Sequence, residues 1–225
     1  MKKLNIGPAV KRNTMQEEAL NRLKEVILSG QLSPDSFYTE NDFAEALQIS
    51  RTPVREAVKS LIHDGLLVSV PRKGIKVREF TRSEVEQIFL LRQKIEGSIL
   101  EKVSNTITED QLKTLNKIVT EQENAIEKDD RILFIDLDQE FHNFLIHVTD
   151  YHLIEEMIMN LHNLTRLIGH RAIMKQGRME EVIDEHRAII QALREKDAPQ
   201  AKRKMIFHLE QTEHSFQMMD PHGHA

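Results

Sequence analysis

The sequence predicts a mainly α protein in two parts. A small N-terminal unit of helices closed by a two-stranded ribbon spans residues 14–78, and an all-α antiparallel bundle spans residues 79–219. Three observations carry this. Aromatic content is 5% with no Trp, and there are only 8 Gly and 6 Pro in 225 residues, which suits a chain that is mostly helix. From Thr81 onward, apolar residues recur at helical spacing with only short breaks. Charge also changes sign between the parts. Residues 1–80 carry 13 Lys and Arg against 10 Asp and Glu, a balance of +3, and the remainder carries 18 against 26, a balance of −8. The first part can approach phosphate and the second cannot, which places a boundary near Phe80. Residues 1–13 read as an arm and 220–225 as a loose tail. The apolar share of 40% is enough for a core.

In the first part, Ala19, Leu20, Leu23, Val26 and Ile27 set a helix over 16–28, ended by Ser29-Gly30. Glu40 to Leu47 reads as a short helix with Phe43, Ala44 and Leu47 inward. Gln48 and Ile49 leave a tight connection to a helix starting at Arg51. Ser50 is placed to cap it by accepting from a free backbone N–H, and Pro53 is tolerated in its first turn. Val58, Leu61 and Ile62 continue its apolar face to Gly65, a helix stop. Leu66–Val70 and Ile75–Val77 then read as strands joined by the basic turn Pro71-Arg72-Lys73-Gly74. This order is a helix-turn-helix followed by a wing. Arg51 and Arg55, four apart, share a helix face, and Lys59 extends it by a turn. Guanidinium groups there can bond guanine O6 and N7 or grip phosphate. A merely solvated face is the plain alternative for two arginines, but it leaves the basic wing turn and the element order without an account.

In the second part, helices are expected at about 82–103, 109–127, 131–149, 151–174, 179–195 and 198–217. Thr81–Glu84 and Thr108–Gln111 are capping-box signatures, and Gly177 and Lys196-Asp197 are breaks. Short connections favour antiparallel packing. The informative residues are polar ones on apolar faces. Beside the stripe Phe134, Leu137, Phe141, Leu145 and Val148 stand Asp138 and His142, four apart and facing the same way. His186 lies among Val182, Ile189, Ile190 and Leu193. His208 lies among Ala201, Met205, Leu209, Thr212 and Phe216. One carboxylate and three imidazoles thus project toward a common interior, where each needs a partner. Each could be a hydrogen-bonded core histidine. A single divalent ion would satisfy all four, and an Asp/His₃ set suits zinc first, with nickel or another first-row metal also acceptable. Ten of the eleven His lie after residue 80, yet His147 and His214 point elsewhere by helical phase, and His152, His162 and His170 lack an inward acidic partner at i+4. His222 and His224 belong to the tail.

The run Ser50-Arg51-Thr52-Pro53-Val54-Arg55-Glu56-Ala57, the Asp64-Gly65-Leu66 step and the Gly74 wing resemble the GntR family of bacterial transcription regulators. Asp138-Gln139-Glu140-Phe141-His142, Glu185-His186-Arg187-Ala188-Ile189 and His208-Leu209 resemble the FCD ligand-binding domain of its FadR-type subfamily. The resemblance implies that Arg51 and Arg55 contact an operator with Thr52 at the phosphates, and that the wing at Gly74 approaches the minor groove; Lys59, Arg72 and Lys73 are the basic residues expected beside them. It also implies that Asp138, His142, His186 and His208 are the metal positions of metal-binding members, and that an acyl-CoA effector is not expected. Two departures stand out. Pro34-Asp35 replaces a Pro-Gly turn seen in many members, and Asn41 stands where some carry a DNA-contacting arginine, so the operator sequence does not carry over. Arg92 matches an Arg-x-x-x-Glu of the domain's first helix. It either meets an anion in the cavity or forms an i,i+4 surface pair with Glu96. Asn163 and Arg166 are weaker effector candidates.

The expected function is DNA-binding transcription regulation, in the repressing sense. A homodimer on a palindromic operator would be controlled by a small carboxylate at the metal. A purely structural metal without effector, or a metal-dependent hydrolase, are the rival readings. No Cys is present, so disulfides, thiolate metal sites and cysteine nucleophiles are excluded. No apolar run approaches the roughly 20 residues of a membrane span, and Met1–Asn5 lacks a signal-peptide core. The chain is therefore expected to be cytoplasmic, without a membrane partner.

Overall fold

The computed structural model describes residues 14–219. The expected arm and tail, with His222 and His224, lie outside the described residues. The elements are α1 (Met15–Leu28), α2 (Glu40–Leu47), α3 (Arg51–His63), β1 (Leu67–Val70), β2 (Gly74–Val77), α4 (Arg82–Thr106), α5 (Glu109–Glu127), α6 (Arg131–His147), α7 (His152–Ala172), α8 (Arg178–Arg194) and α9 (Ala198–Met219).

Threonines start four of these helices. Thr14, Thr39, Thr81 and Thr108 each accept from the third residue of their helix, whose Glu, Asp or Gln side chain reaches back to the threonine backbone. These reciprocal bonds satisfy donors that a helix start otherwise leaves open. The first two boxes escaped the sequence reading. Ser50 occupies the cap position of α3 in extended backbone but makes no side-chain cap hydrogen bond, so the expected cap bond is absent. Helix ends shift slightly, with α4 running on to Thr106 and α6 stopping at His147.

In the N-terminal unit, Leu23 and Ile27 of α1, Phe43 of α2, Val54, Ala57, Val58 and Leu61 of α3, and Leu66, Leu67, Ile75 and Val77 of the ribbon form one buried cluster. Strands β1 and β2 are antiparallel with Leu67 opposite Val77. Tyr38 adds a bridge, donating its N–H to the Ile75 carbonyl at 2.7 Å and accepting from the Ile75 N–H at 2.8 Å. That bridge explains Gly74. Its φ is +123°, and an added Cβ would lie 2.6 Å from the Tyr38 carbonyl oxygen. Gly74→Ala is therefore expected to destabilise the winged unit by about 2 kcal/mol or more. Denaturant unfolding of the two proteins checks this, and an unchanged midpoint would contradict it.

The bundle buries a second, larger cluster drawn from α4 to α9, with Phe89, Leu100, Leu115, Phe141, Leu145, Ile189, Leu193, Met205 and Leu209 at its centre. α4 lies along α9, α5 packs on α6 and α8, and α8 packs on α9. Faces of α4, α6, α8 and α9 thereby meet. Leu167 of α7 packs against both clusters and joins the two parts. No helix among the described residues is long and apolar enough to cross a membrane.

Candidate metal centre and nucleic-acid interface

The outer face of α3 is open. The Arg51 and Arg55 side chains are 67% and 62% exposed, and Thr52 and Lys59 are exposed beside them. Neither arginine stands alone, because Glu40 at the start of α2 lies 3.8 Å from both guanidinium groups. Lys59 is held by Glu56 at 2.8 Å. Exposed pairs of this kind contribute about 0–1 kcal/mol, so a phosphate can displace them. On the wing, Arg72 and Lys73 are exposed, and Lys73 Nζ sits 5.6 Å from the Phe37 ring centre. Gly74 is half-buried against Tyr38, which gives it a structural reason independent of any groove contact.

In the bundle, Asp138 and His142 of α6, His186 of α8 and His208 of α9 each turn one ligand atom toward a common point, all within 4.8 Å of one another. The three imidazoles are fully buried and Asp138 is partly so. His142 Nε2 lies 3.2 Å from His208 Nε2 and 4.0 Å from Asp138 Oδ2, and His186 Nε2 lies 3.5 Å from Asp138 Oδ1. An ion about 2 Å from each donor needs donors about 3–4 Å apart, which matches this spacing. Phe141 stacks on the His186 ring at 3.9 Å between centres and fixes its plane.

The profile of the FCD domain matches residues 87–211, more than half of the chain, and that of the bacterial regulatory proteins of the gntR family matches residues 15–77. The chain belongs to the GntR family and carries an FCD domain. It is similar to the HTH-type transcriptional regulator YdhC of Bacillus subtilis, 29% identical over 191 residues that cover 84% of each chain. It is similar to the HTH-type transcriptional repressor RspR of Escherichia coli K12, 28% identical over 184 residues that cover 82% of this chain and 81% of the relative. The E. coli McbR/YncC structure has the same fold, with a TM-score of 0.75 at 22% identity, covering 91% of this chain and 98% of that one. These families and relatives are regulators. The chain is accordingly a DNA-binding transcription regulator of the GntR family, and not an enzyme.

Around the four ligand atoms, the FCD domain provides an outer layer that local sequence pattern did not disclose. Each histidine uses Nδ1 for a different partner. His208 Nδ1 is 2.7 Å from Glu185 Oε2, His186 Nδ1 is 3.0 Å from Gln122 Oε1, and His142 Nδ1 is 2.5 Å from Glu96 Oε2. Glu185 is gripped bidentately by the buried Arg178, at 2.6 and 2.8 Å, and Arg178 also donates to Thr212 at 3.0 Å. With Nδ1 bonded to Gln122 and to Glu185, the His186 and His208 rings leave Nε2 as the atom turned to the cluster. The His142 and His208 Nε2 atoms, 3.2 Å apart, can share either a proton or a cation between them. His186 Nε2 is moreover buried without a hydrogen-bond partner. Burial lowers the His142 and His186 pKa values, that of His186 further still through His208 and His142, so both rings are neutral and basic-site ready near pH 7. The residues present therefore fit a metal ion, and an oxygen-and-imidazole set without thiolate is one that zinc or nickel accepts. Gln122→Leu, which removes the acceptor for His186 at similar volume, is expected to weaken metal affinity about 10–100-fold. Competition with a chelator measures this, and unchanged affinity would contradict it.

The three effector candidates sit in different surroundings. Arg92 is neither solvent-facing nor free. Its Nε donates to Glu96 Oε1 at 2.6 Å, and both side chains are 2% exposed, so the i,i+4 pair exists but is buried. Burial raises the Glu96 pKa, but Arg92 and His142 outweigh it and hold the carboxyl well below its usual range. Arg92 Nη2 remains buried without a hydrogen-bond partner. Arg166 does not reach the cluster. It pairs with Asp136 and lines a cleft with Asn21, Lys24 and Leu28 of α1. Asn163 is half-buried on the same helix and makes none of the cluster's contacts. The residue of α7 that does face inward is His162, which was set aside for want of an i+4 acid. It is buried, 2.5 Å from Asn143 Oδ1 through Nδ1 and 3.6 Å from Glu96 Oε1 through Nε2. Its acid comes from another helix.

Proposed function

We propose that this GntR-family chain is a repressor whose operator affinity is set by a small carboxylate bound at a metal held by Asp138, His142, His186 and His208. The observation that carries the reading is the convergence of three imidazoles on one carboxylate, with the His186 and His208 Nδ1 atoms hydrogen-bonded elsewhere and the His186 Nε2 buried and unpartnered. Zinc is the first candidate ion, and nickel the next. Bound there, the ion supplies open coordination positions for oxygen donors. The carboxylate would also take a charge-assisted bond from Arg92 Nη2. The similarity to RspR, a transcriptional repressor, supports the repressing sense.

Arg51, Thr52 and Arg55, with Lys59 and the wing residues Arg72, Lys73 and Gly74, form the operator-facing surface in this reading. A homodimer is proposed because a helix-turn-helix reads palindromes through two-fold symmetry. Adjacent exposed Leu90 and Leu91 on α4 support a further apolar contact. Coupling between the two parts has a physical route. Gln139 donates to Asp138 Oδ2 at 3.1 Å and accepts from Thr165 at 3.3 Å, and the neighbouring Arg166 meets α1 of the winged unit. A change at Asp138 would thereby alter how α1 rests on the bundle, a coupling free energy between two sites.

Calorimetry with a panel of di- and hydroxy-carboxylates tests the effector. Metal-loaded protein is expected to bind one of them. Chelator-stripped protein should bind it far more weakly, and Arg92→Ala should lose about 10–100-fold, the worth of a charged hydrogen bond. Arg92→Lys, which keeps a cation for Glu96, separates lost recognition from lost folding. Equal affinity with and without metal would make the metal structural and refute the sensor reading.

A further inference from the structure

A cavity of about 240 Å³ lies where the winged unit rests on the bundle. Ile27, Gly30, Leu32 and Pro34 form one wall, the connection Val77–Phe80 forms a second, and Leu167, His170 and Arg171 of α7, Met174 just after it and Phe216 of α9 close it. It shares no residue with the Asp138 cluster. Its surface is chiefly aliphatic and aromatic. His170 Nδ1 is buried without a hydrogen-bond partner. His170 Nε2 faces Gly30, where an added Cβ would come within 2.9 Å, so the glycine makes room for the imidazole.

Arginines stand around His170, Arg78 paired with Glu84 and Arg131 with Asp129. Arg78 and Arg171 line the cavity, and Arg131 and Arg171 act on the ring, which burial and these charges hold below its ordinary pKa. The one acid of the lining, Glu79, is already engaged by Lys76 at 2.6 Å. Arg78 is fixed by Glu84 at 2.9 Å and lies over the Phe80 ring at 4.9 Å. An apolar chamber in which one buried imidazole nitrogen lacks a partner and feels Arg131 and Arg171 suits an anion with an apolar body. The volume, below the 300–1,000 Å³ of drug-sized sites, limits that body to about ten non-hydrogen atoms.

We infer that this cavity is a second ligand site, separate from the metal cluster, for a small monocarboxylate with an aromatic or branched aliphatic body. The carboxylate accepts from His170 Nδ1, and the body packs against Leu32, Leu167, Met174 and Phe216. Because the walls belong to both parts, an occupant changes the preferred seating of the winged unit, and operator binding changes reciprocally with occupancy.

The test is calorimetry on full-length protein with benzoate, phenylacetate and 3-methylbutanoate. Benzamide is the uncharged control and acetate the control without a body. At least one of the three acids should bind with a dissociation constant below about 1 mM, with both controls at least tenfold weaker. His170→Phe keeps the ring and removes the nitrogen, and should weaken that binding at least tenfold. Met174→Trp, at an exposed rim position, fills the space without touching the buried core and should do the same. Removing metal with a chelator should leave it unchanged, so the result stands whether or not the metal reading does. Three outcomes would overturn the inference. They are no binding of any acid up to about 10 mM, full binding in both variants, or loss of binding on metal removal, which would place the acid at the Asp138 cluster instead.

Discussion

His208→Ala is expected to leave the protein without stoichiometric metal and to lower its melting temperature by about 8–16 °C. A ligand that binds only the folded state at about a thousandfold above its dissociation constant stabilises by about 4 kcal/mol. For a chain of this size each kcal/mol is worth about 2–4 °C. His208 supplies one of the four ligand atoms and lies 3.2 Å from the His142 Nε2, so its loss opens the set on one side. Chelator should reproduce most of the shift in the wild type and none in the variant. Calorimetric scans with elemental analysis read both quantities. A variant that keeps its metal, or a wild type whose melting is indifferent to chelator and to added zinc or nickel, would refute the assignment.

Arg55→Ala is expected to lose about 1–3 kcal/mol of base discrimination, roughly 5–150-fold, on an operator selected by the wild type from a randomised duplex pool. The side chain is exposed on α3 and engaged only loosely by Glu40 at 3.8 Å, so it can turn to a base edge at little cost. Arg51, equally close to Glu40, should behave alike. Lys73→Ala in the wing should instead weaken binding to all duplexes equally and flatten the salt dependence by about one phosphate contact. Wild-type affinity and selectivity in a folded Arg55→Ala protein would remove α3 from the interface.

Much of the architecture is legible locally. Helices announce themselves by apolar period, and Asp138, His142, His186 and His208 stand out because a polar residue on a buried stripe is conspicuous within a single helix. What surrounds them is not legible in that way. Glu96, Gln122 and Glu185 face the three Nδ1 atoms from α4, α5 and α8, and each contact joins two different helices. No i+4 rule reports such pairings. His162 was passed over for this reason, since its acid lies 66 residues upstream at Glu96. Arg178, just before the expected helix start, carries no signal in the sequence, yet it is fully buried and anchors Glu185. Arg166 shows the opposite failure. A charge on a helix that borders the cluster was expected to face it, whereas the helix phase turns it toward α1 and Asp136. Gly74 was legible as a wing glycine, but the reason for it, the Tyr38 carbonyl, needs the bridge from a segment before α2.

The central claim is that four side chains from three helices form a metal site, and native mass spectrometry of freshly purified protein tests it most directly. The account predicts one divalent ion per 26.2 kDa chain, lost with chelator and regained on adding zinc or nickel. A chain that arrives without metal and stays without it after either ion is added would contradict the account.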